Sequence, residues 1–169
     1  MPDADRSDRQ MRNLKPNRVT RTYRQSLHAP AERVFPLLCP VRELDWAVGW
    51  SPRLVVSSSG LAERDCVFMT LERSTEAIWY ITRHEPEKLF VEMLKLTPGI
   101  TACRLQIQLH PQADGCAADV TYSHTSLGPQ GDEFVDNFTA GHYRHFMRQW
   151  EKELNHYLAT GESLSEGDG

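Results

Sequence analysis

Between Leu54 and Ser126 the chain is cut by turn residues at short, regular intervals, and this punctuation limits the possible folds more than any other feature. "SSSGLAERD" separates "LVVSS" from "CVFMTLER", Ser74 and Thr75 separate that run from "EAIWYITRH", and "EPEK" precedes "LFVEMLKL". "TPG" then introduces "ITACRLQIQLH", and "QADG" introduces "CAADVTYSHTS". Ser, Gly, Asp and Pro at such points reverse the chain, so the six runs are read as consecutive antiparallel strands rather than strands alternating with helices.

Alternation within the runs assigns their faces. Cys103, Leu105, Ile107 and Leu109 go one way, while Arg104, Gln106, Gln108 and His110 go the other. In "DVTYSHTS" the bulkier set is Val120, Tyr122, His124 and Ser126. Trp79 and Tyr80 occupy opposite faces of one strand, so only one of them can point inward. One sheet face is therefore wet, and the other needs a cover.

Upstream, "VTRTYRQSLH" alternates Val19, Tyr23 and Leu27 against Thr20, Thr22 and Arg24, which predicts a further strand. "APAERVFPLLCP" predicts a short helix, with Pro30 where it starts, Glu32 in its first turn and Val34, Leu37 and Leu38 on one side. Pro36 and Pro40 limit its length, and "VRELDW" predicts a second helical turn before Gly49 and Pro52 return the chain to extended structure. The cover is the last segment, expected as one helix from about Gly131 to Ala159 with Gly161 just beyond. At about 1.5 Å per residue such a helix is roughly 40 Å long and crosses a whole sheet. On a helical wheel Phe134, Phe138, Phe146, Trp150, Leu154 and Tyr157 form its apolar face, with His142 among them and His145 at the edge, nearer solvent.

A chain of 169 residues suits one domain, expected over 18–160 with flexible tails at 1–17 and 161–169. A net charge of -4 supplies no general attraction to nucleic acid or to an anionic membrane, and neither is expected as a partner. No run has the length of a membrane span or the pattern of a signal peptide, so a cytoplasmic location is expected. Cys39, Cys66, Cys103 and Cys116 show no C-x-x-C spacing and are read as reduced structural residues. The sequence contains no glycine-rich phosphate loop, G-x-S-x-G elbow or basic aromatic strip.

Strand, two short helices, six strands and a long terminal helix make an α+β order. That order, together with "HAPAERVFPLL", "DWAVGW", "WYITRHEPEK" and "FMRQWEKELNHYL", resembles the START and birch-pollen-allergen (SRPBCC) superfamily, which includes polyketide cyclase-like proteins. The resemblance covers nearly all of residues 18–160. It implies a helix-grip fold, in which a seven-stranded curved antiparallel sheet wraps around the C-terminal helix with two short helices between the first and second strands. It also implies a largely apolar pocket for a lipid, polyketide, sterol or hormone-like molecule. It carries no universal catalytic signature, because similar folds serve as carriers, receptors, cyclases and accessory domains.

The residues expected at a ligand site are Trp46, Trp50, Trp79, Tyr122, His124, Phe138, His142 and Phe146. His142 is read first as a core histidine bonded to a strand, second as a cavity contact and third as a general acid or base. His124 is read more readily as a solvated or capping residue near a strand end than as a cavity residue. If the protein is a cyclase- or dehydratase-like enzyme, His142 and Tyr122 are the candidates for moving a proton. No cofactor is expected and no metal is predicted, since His142 and His145 lack a third ligand; His124 would be the nearest in kind. Arg83 and Arg104 are assigned to the solvated outer face. A third class, a regulatory or protein-interaction domain with a closed core, is disfavoured by the polar alternation expected on the convex side.

Overall fold

A computed structural model of the chain describes residues 11–165. The alternating runs form seven strands: β1 (Arg18–Leu27), β2 (Pro52–Val56), β3 (Val67–Glu72), β4 (Thr75–Glu85), β5 (Phe90–Thr97), β6 (Thr101–Gln112) and β7 (Gly115–Ser126). They build one antiparallel sheet in the order β1-β7-β6-β5-β4-β3-β2, so β2 to β7 follow one another as hairpins and β1 returns to lie beside β7. Bulges in β2, between Pro52 and Leu54, and in β4, between Ile81 and Arg83, add the local bend that lets a sheet curl. Much of the two expected tails, 1–10 and 166–169, lies outside the described residues. Residues 11–17 carry neither helix nor strand, and Asn17 accepts from the Ser126 N–H at 2.9 Å while its side chain donates to Asp132 at 2.8 Å.

The inward faces follow the alternation. Cys103, Leu105, Ile107 and Leu109 are buried, and Trp79 points in while Tyr80 points out. Register aligns the inward residues in rows across the sheet: Trp79, Lys95, Cys103 and His124 in one, Ile81, Met93, Leu105 and Tyr122 in the next. The convex side differs from expectation. Two apolar rows cross it, Leu54, Met69, Ile78 and Leu96 beside Val56, Val67, Tyr80 and Leu94, and several members are substantially exposed. Turn spacing had located the strands, but which outward residues stand side by side depends on register between strands.

Between β1 and β2, helix α1 (Ala31–Val34) runs directly into a 3-10 turn at Phe35–Leu37, and a second 3-10 turn follows at Arg42–Asp45. Ala31, Val34, Phe35 and Leu37 are buried, so this segment closes one end of the curled sheet.

The terminal segment is two helices rather than one: α2 (Pro129–Asn137) and α3 (Ala140–Thr160). Thr139 is the cause. Its backbone is extended and its hydroxyl accepts from the His142 N–H at 3.2 Å, so it caps a new helix in the middle of the expected one. Helix α2 begins at Pro129 and packs Gly131 against the Ile100 carbonyl, where an added Cβ would collide with the oxygen. Helix α3 stops at Gly161, which has φ 75° and donates to the Tyr157 carbonyl at 2.7 Å.

Helix α3 buries Leu154 as expected, but its other buried apolar residues, Tyr143, Met147 and Leu158, lie on a face rotated from the expected one. It is pinned along the edge of β1 that β7 leaves unpaired. The Gln25 side chain donates to the Met147 carbonyl at 3.1 Å, and Asn155 accepts from the His28 N–H and donates to the Ser26 carbonyl, each at 2.9 Å. Arg33 donates to the Leu158 carbonyl at 2.9 Å, and the Tyr143 hydroxyl donates to the Val120 carbonyl. The two Asn155 bonds satisfy backbone groups at the outer end of β1, and the others tie the helix to side chains of β1 and α1 and to β7. No helix among the described residues is long and apolar enough to cross a membrane.

Candidate functional site

Helix α3 touches the sheet on the β1 side and stands away from it on the other. The strip beside its buried face, His142, Phe146, Gln149, Trp150 and Glu153, looks across a cavity of about 540 Å³. The opposite wall is the sheet: Phe68 and Thr70 from β3, Trp79 from β4, Met93 and Lys95 from β5, Leu105 and Ile107 from β6, Tyr122 and His124 from β7. Phe134 and Phe138 close one end, while residues of the segment from Pro40 to Ser51 close the other side.

Aromatic faces dominate these walls. Phe68 stacks on Trp79 with ring centres 5.3 Å apart, and Trp50 meets both edge-on at 6.2 and 6.4 Å. The Trp50 indole N–H donates to the Pro40 carbonyl at 2.7 Å and that of Trp79 to the Thr70 hydroxyl at 2.9 Å. With those donors occupied, both rings offer a guest only their apolar surfaces. Tyr122 packs edge-on against Phe146 at 6.0 Å, carrying the aromatic surface onto the helix.

The polar groups in the walls fall into satisfied and unsatisfied sets. Glu153, buried on α3, accepts from the Val48 N–H at 3.1 Å and from Gln149 at 3.0 Å, which ties the loop before β2 to the helix. Lys95 pairs with Glu72 at 3.1 Å, and its ammonium lies 5.0 Å from the Trp79 ring centre. His124 is 4% exposed, its Nε2 lies 3.8 Å from the Cys103 sulfur, and its Nδ1 has no hydrogen-bond partner among the described residues. Burial, with a smaller push from Lys95, lowers its pKa to about 4, and burial raises the Cys103 thiol to about 12. This pair is therefore a neutral imidazole beside a neutral thiol, without the ionised sulfur that nucleophilic chemistry requires.

Two further groups bear protons toward the cavity. Burial raises the Tyr122 phenol well above its ordinary value. Glu43, in the Arg42–Asp45 turn, lines the cavity, and burial alone lifts its carboxyl to about 8. Neither side chain has a hydrogen-bond or ion-pair partner among the described residues, whereas Asp45 in the same turn pairs with Arg42 at 2.8 Å.

Seven of the eight residues singled out from the sequence line this cavity: Trp50, Trp79, Tyr122, His124, Phe138, His142 and Phe146. Trp46 does not. It is fully buried behind the wall, 5.4 Å from the Trp150 ring, with its indole bonded to the Leu37 carbonyl at 3.0 Å. His142 is an exposed residue of the cavity rim, edge-on to Phe138 at 5.9 Å, rather than a core histidine. His124 is a buried cavity residue rather than a solvated one, because β7 runs on to Ser126 and Phe134 and Phe138 cover its ring. Arg83 and Arg104 are exposed on the outer face. Among the described residues, no three His, Cys, Asp or Glu side chains converge in a way that could hold a metal ion. Glu43 and Lys95 were missed. Alternation in β5 placed Lys95 in phase with Val91 and Met93, a usable signal, but nothing in "VRELDW" distinguishes the inward acid from the outward one.

Sheet, helices and cavity together define a helix-grip protein with an aromatic-walled chamber between the sheet and the terminal helix. Solved structures share that fold. Norcoclaurine synthase from Thalictrum flavum is 10% identical, with 95% of this chain and 99% of that one covered at a TM-score of 0.64. It has also been solved in complex with dopamine and hydroxybenzaldehyde. Ara h 8.0201 is 13% identical, with 85% of this chain and 99% of that one covered at a TM-score of 0.61. DynU16, from the dynemicin biosynthetic locus, is 18% identical over 85% of this chain and 48% of its own, at a TM-score of 0.56. No protein-family model and no curated protein matches the sequence. At these identities the likeness is one of fold, the helix-grip fold.

Proposed function

We propose that the protein binds a small, largely apolar aromatic molecule in the chamber between the sheet and α3. The observation that carries this reading is a cavity of about 540 Å³ walled by aromatic faces. Pockets for small organic ligands run from about 300 to 1,000 Å³, mostly apolar with a few placed polar groups. Trp50, Trp79, Tyr122, His124, Phe138, His142 and Phe146 are the proposed contacts, and Trp46 supports them from behind. That a protein of the same fold has been solved with dopamine and hydroxybenzaldehyde supports an aromatic guest over a long acyl chain. A cyclase- or dehydratase-like activity is the second reading. It draws on the unpartnered Tyr122 phenol and Glu43 carboxyl in one cavity, and it gives His142 at the rim no role in the proton step.

Titration with phenylnaphthylamine, a neutral fluorescent naphthalene, tests the binding reading. Saturable enhancement at one probe per chain is expected, with loss of tryptophan emission because Trp50, Trp79 and Trp150 line the chamber. Trp50→Ala should weaken the probe by about tenfold, roughly 1.4 kcal/mol. A linear, unsaturable signal would remove the proposal.

A further inference from the structure

Three carboxylates line the cavity, and their surroundings differ. Glu72 has the Lys95 ammonium, which also lies against the Trp79 ring, a carboxylate, a cation and an indole face together. Glu153 has the Val48 N–H and the Gln149 amide. Glu43 has neither donor nor cation among the described residues, although it lines the same aromatic walls. A partly buried carboxyl that faces aromatic walls without a partner is costly to retain unless a guest completes it.

The surroundings select among guests. An anionic group would meet the negative faces of several aromatic rings and a second acid, and Lys95 is already paired. A hydroxyl would gain one hydrogen bond to Glu43 and nothing from the rings. A protonated amine gains from both, since a cation is attracted to aromatic faces and to the carboxylate.

We propose that the ligand of this cavity carries a basic amine on its aromatic body and that Glu43 is the counter-ion of that amine, an assignment that rests on the binding reading above. The proton balance is simple. A free amine takes the proton of the Glu43 carboxyl, whereas an ammonium ion expels that proton to solvent, and both routes end in the same ion pair. The place of Glu43 in the cavity lining, partly buried and with no cation beside it among the described residues, agrees with a site completed by its guest.

Competition against phenylnaphthylamine tests this with three compounds that share one ring system: naphthylmethylamine, naphthalenemethanol and naphthoate. The amine should displace the probe at a concentration at least about tenfold below that of the alcohol, with naphthoate weakest. Glu43→Gln should bring the amine to within about twofold of the alcohol, both measured in that variant. Glu43→Asp, which keeps the charge, should retain part of the preference. Equal binding of amine and alcohol, a preference that survives Glu43→Gln, or tightest binding of naphthoate with loss in Lys95→Met would each overturn the assignment while probe binding still supported the cavity. Absence of probe binding would overturn both.

Discussion

Glu43 and His124 are both held neutral by loss of water, and they bias stability in opposite directions with pH. The unfolded chain loses the Glu43 proton near 4.5 while the folded chain keeps it to about 8, so folding weakens as pH rises through that window. His124 gains its proton near 6.5 when unfolded and only near 4 when folded, so folding weakens as pH falls through that window. The two effects oppose each other where the windows overlap, and Glu43 acts alone toward the alkaline end. Glu43→Gln should therefore melt above wild type at pH 8, by on the order of 3 kcal/mol of stability, with the gap closing toward pH 4.5. Thermal unfolding across that range checks it, and a gap independent of pH would mean that Glu43 titrates as an ordinary surface acid. His124 could be found in the sequence because strand alternation has a period of two. Glu43 could not, because its exposure is set by how a short turn lies against a distant strand.

Among the elements, α3 shows what a helical wheel misses. The wheel puts Phe134, Phe138, Phe146, Trp150, Leu154 and Tyr157 on one face with His142 among them. Leu154 is packed as expected, but the helix begins only at Ala140, and its other packed apolar residues are Tyr143, Met147 and Leu158. Apolar residues on the adjoining strip face a chamber instead of a neighbour, and Phe146 stays 44% exposed. Hydrophobicity alone does not separate these environments, since a core and a ligand cavity select the same side chains. Substitution does separate them. Leu154→Ala should cost about 2–5 kcal/mol in urea unfolding, as expected for a fully packed core position. Phe146→Ala should cost under about 1 kcal/mol yet weaken phenylnaphthylamine binding by about tenfold. Equal losses of stability in the two variants would contradict the division of the helix into a packed face and a cavity face.

In the molecule as a whole, the chamber exists because α3 is secured along β1, at Val120 of β7 and at Glu153, and stands away from the strands beyond β7. Glu153 joins the helix to the Val48 amide, so one buried carboxylate, beside the Trp46–Trp150 contact, ties the loop carrying Glu43 and Trp50 to α3. Glu153→Ala should speed hydrogen exchange at the Val48 amide by at least about tenfold while the β6–β7 amides keep their protection. Unchanged exchange at Val48 would mean that the loop is held by packing alone. Local chemistry in the chain determined the seven strands, their inward and outward faces, the short helices before β2 and the presence of a covering helix, because turn residues and alternation act over a few positions. The tertiary structure decided the apolar rows on the convex side, the withdrawal of Trp46 behind the wall and the meeting of Glu43 with the aromatic chamber. Those features depend on register, on the phase of a helix against a sheet and on which groups lose water together, and each couples residues far apart along the chain.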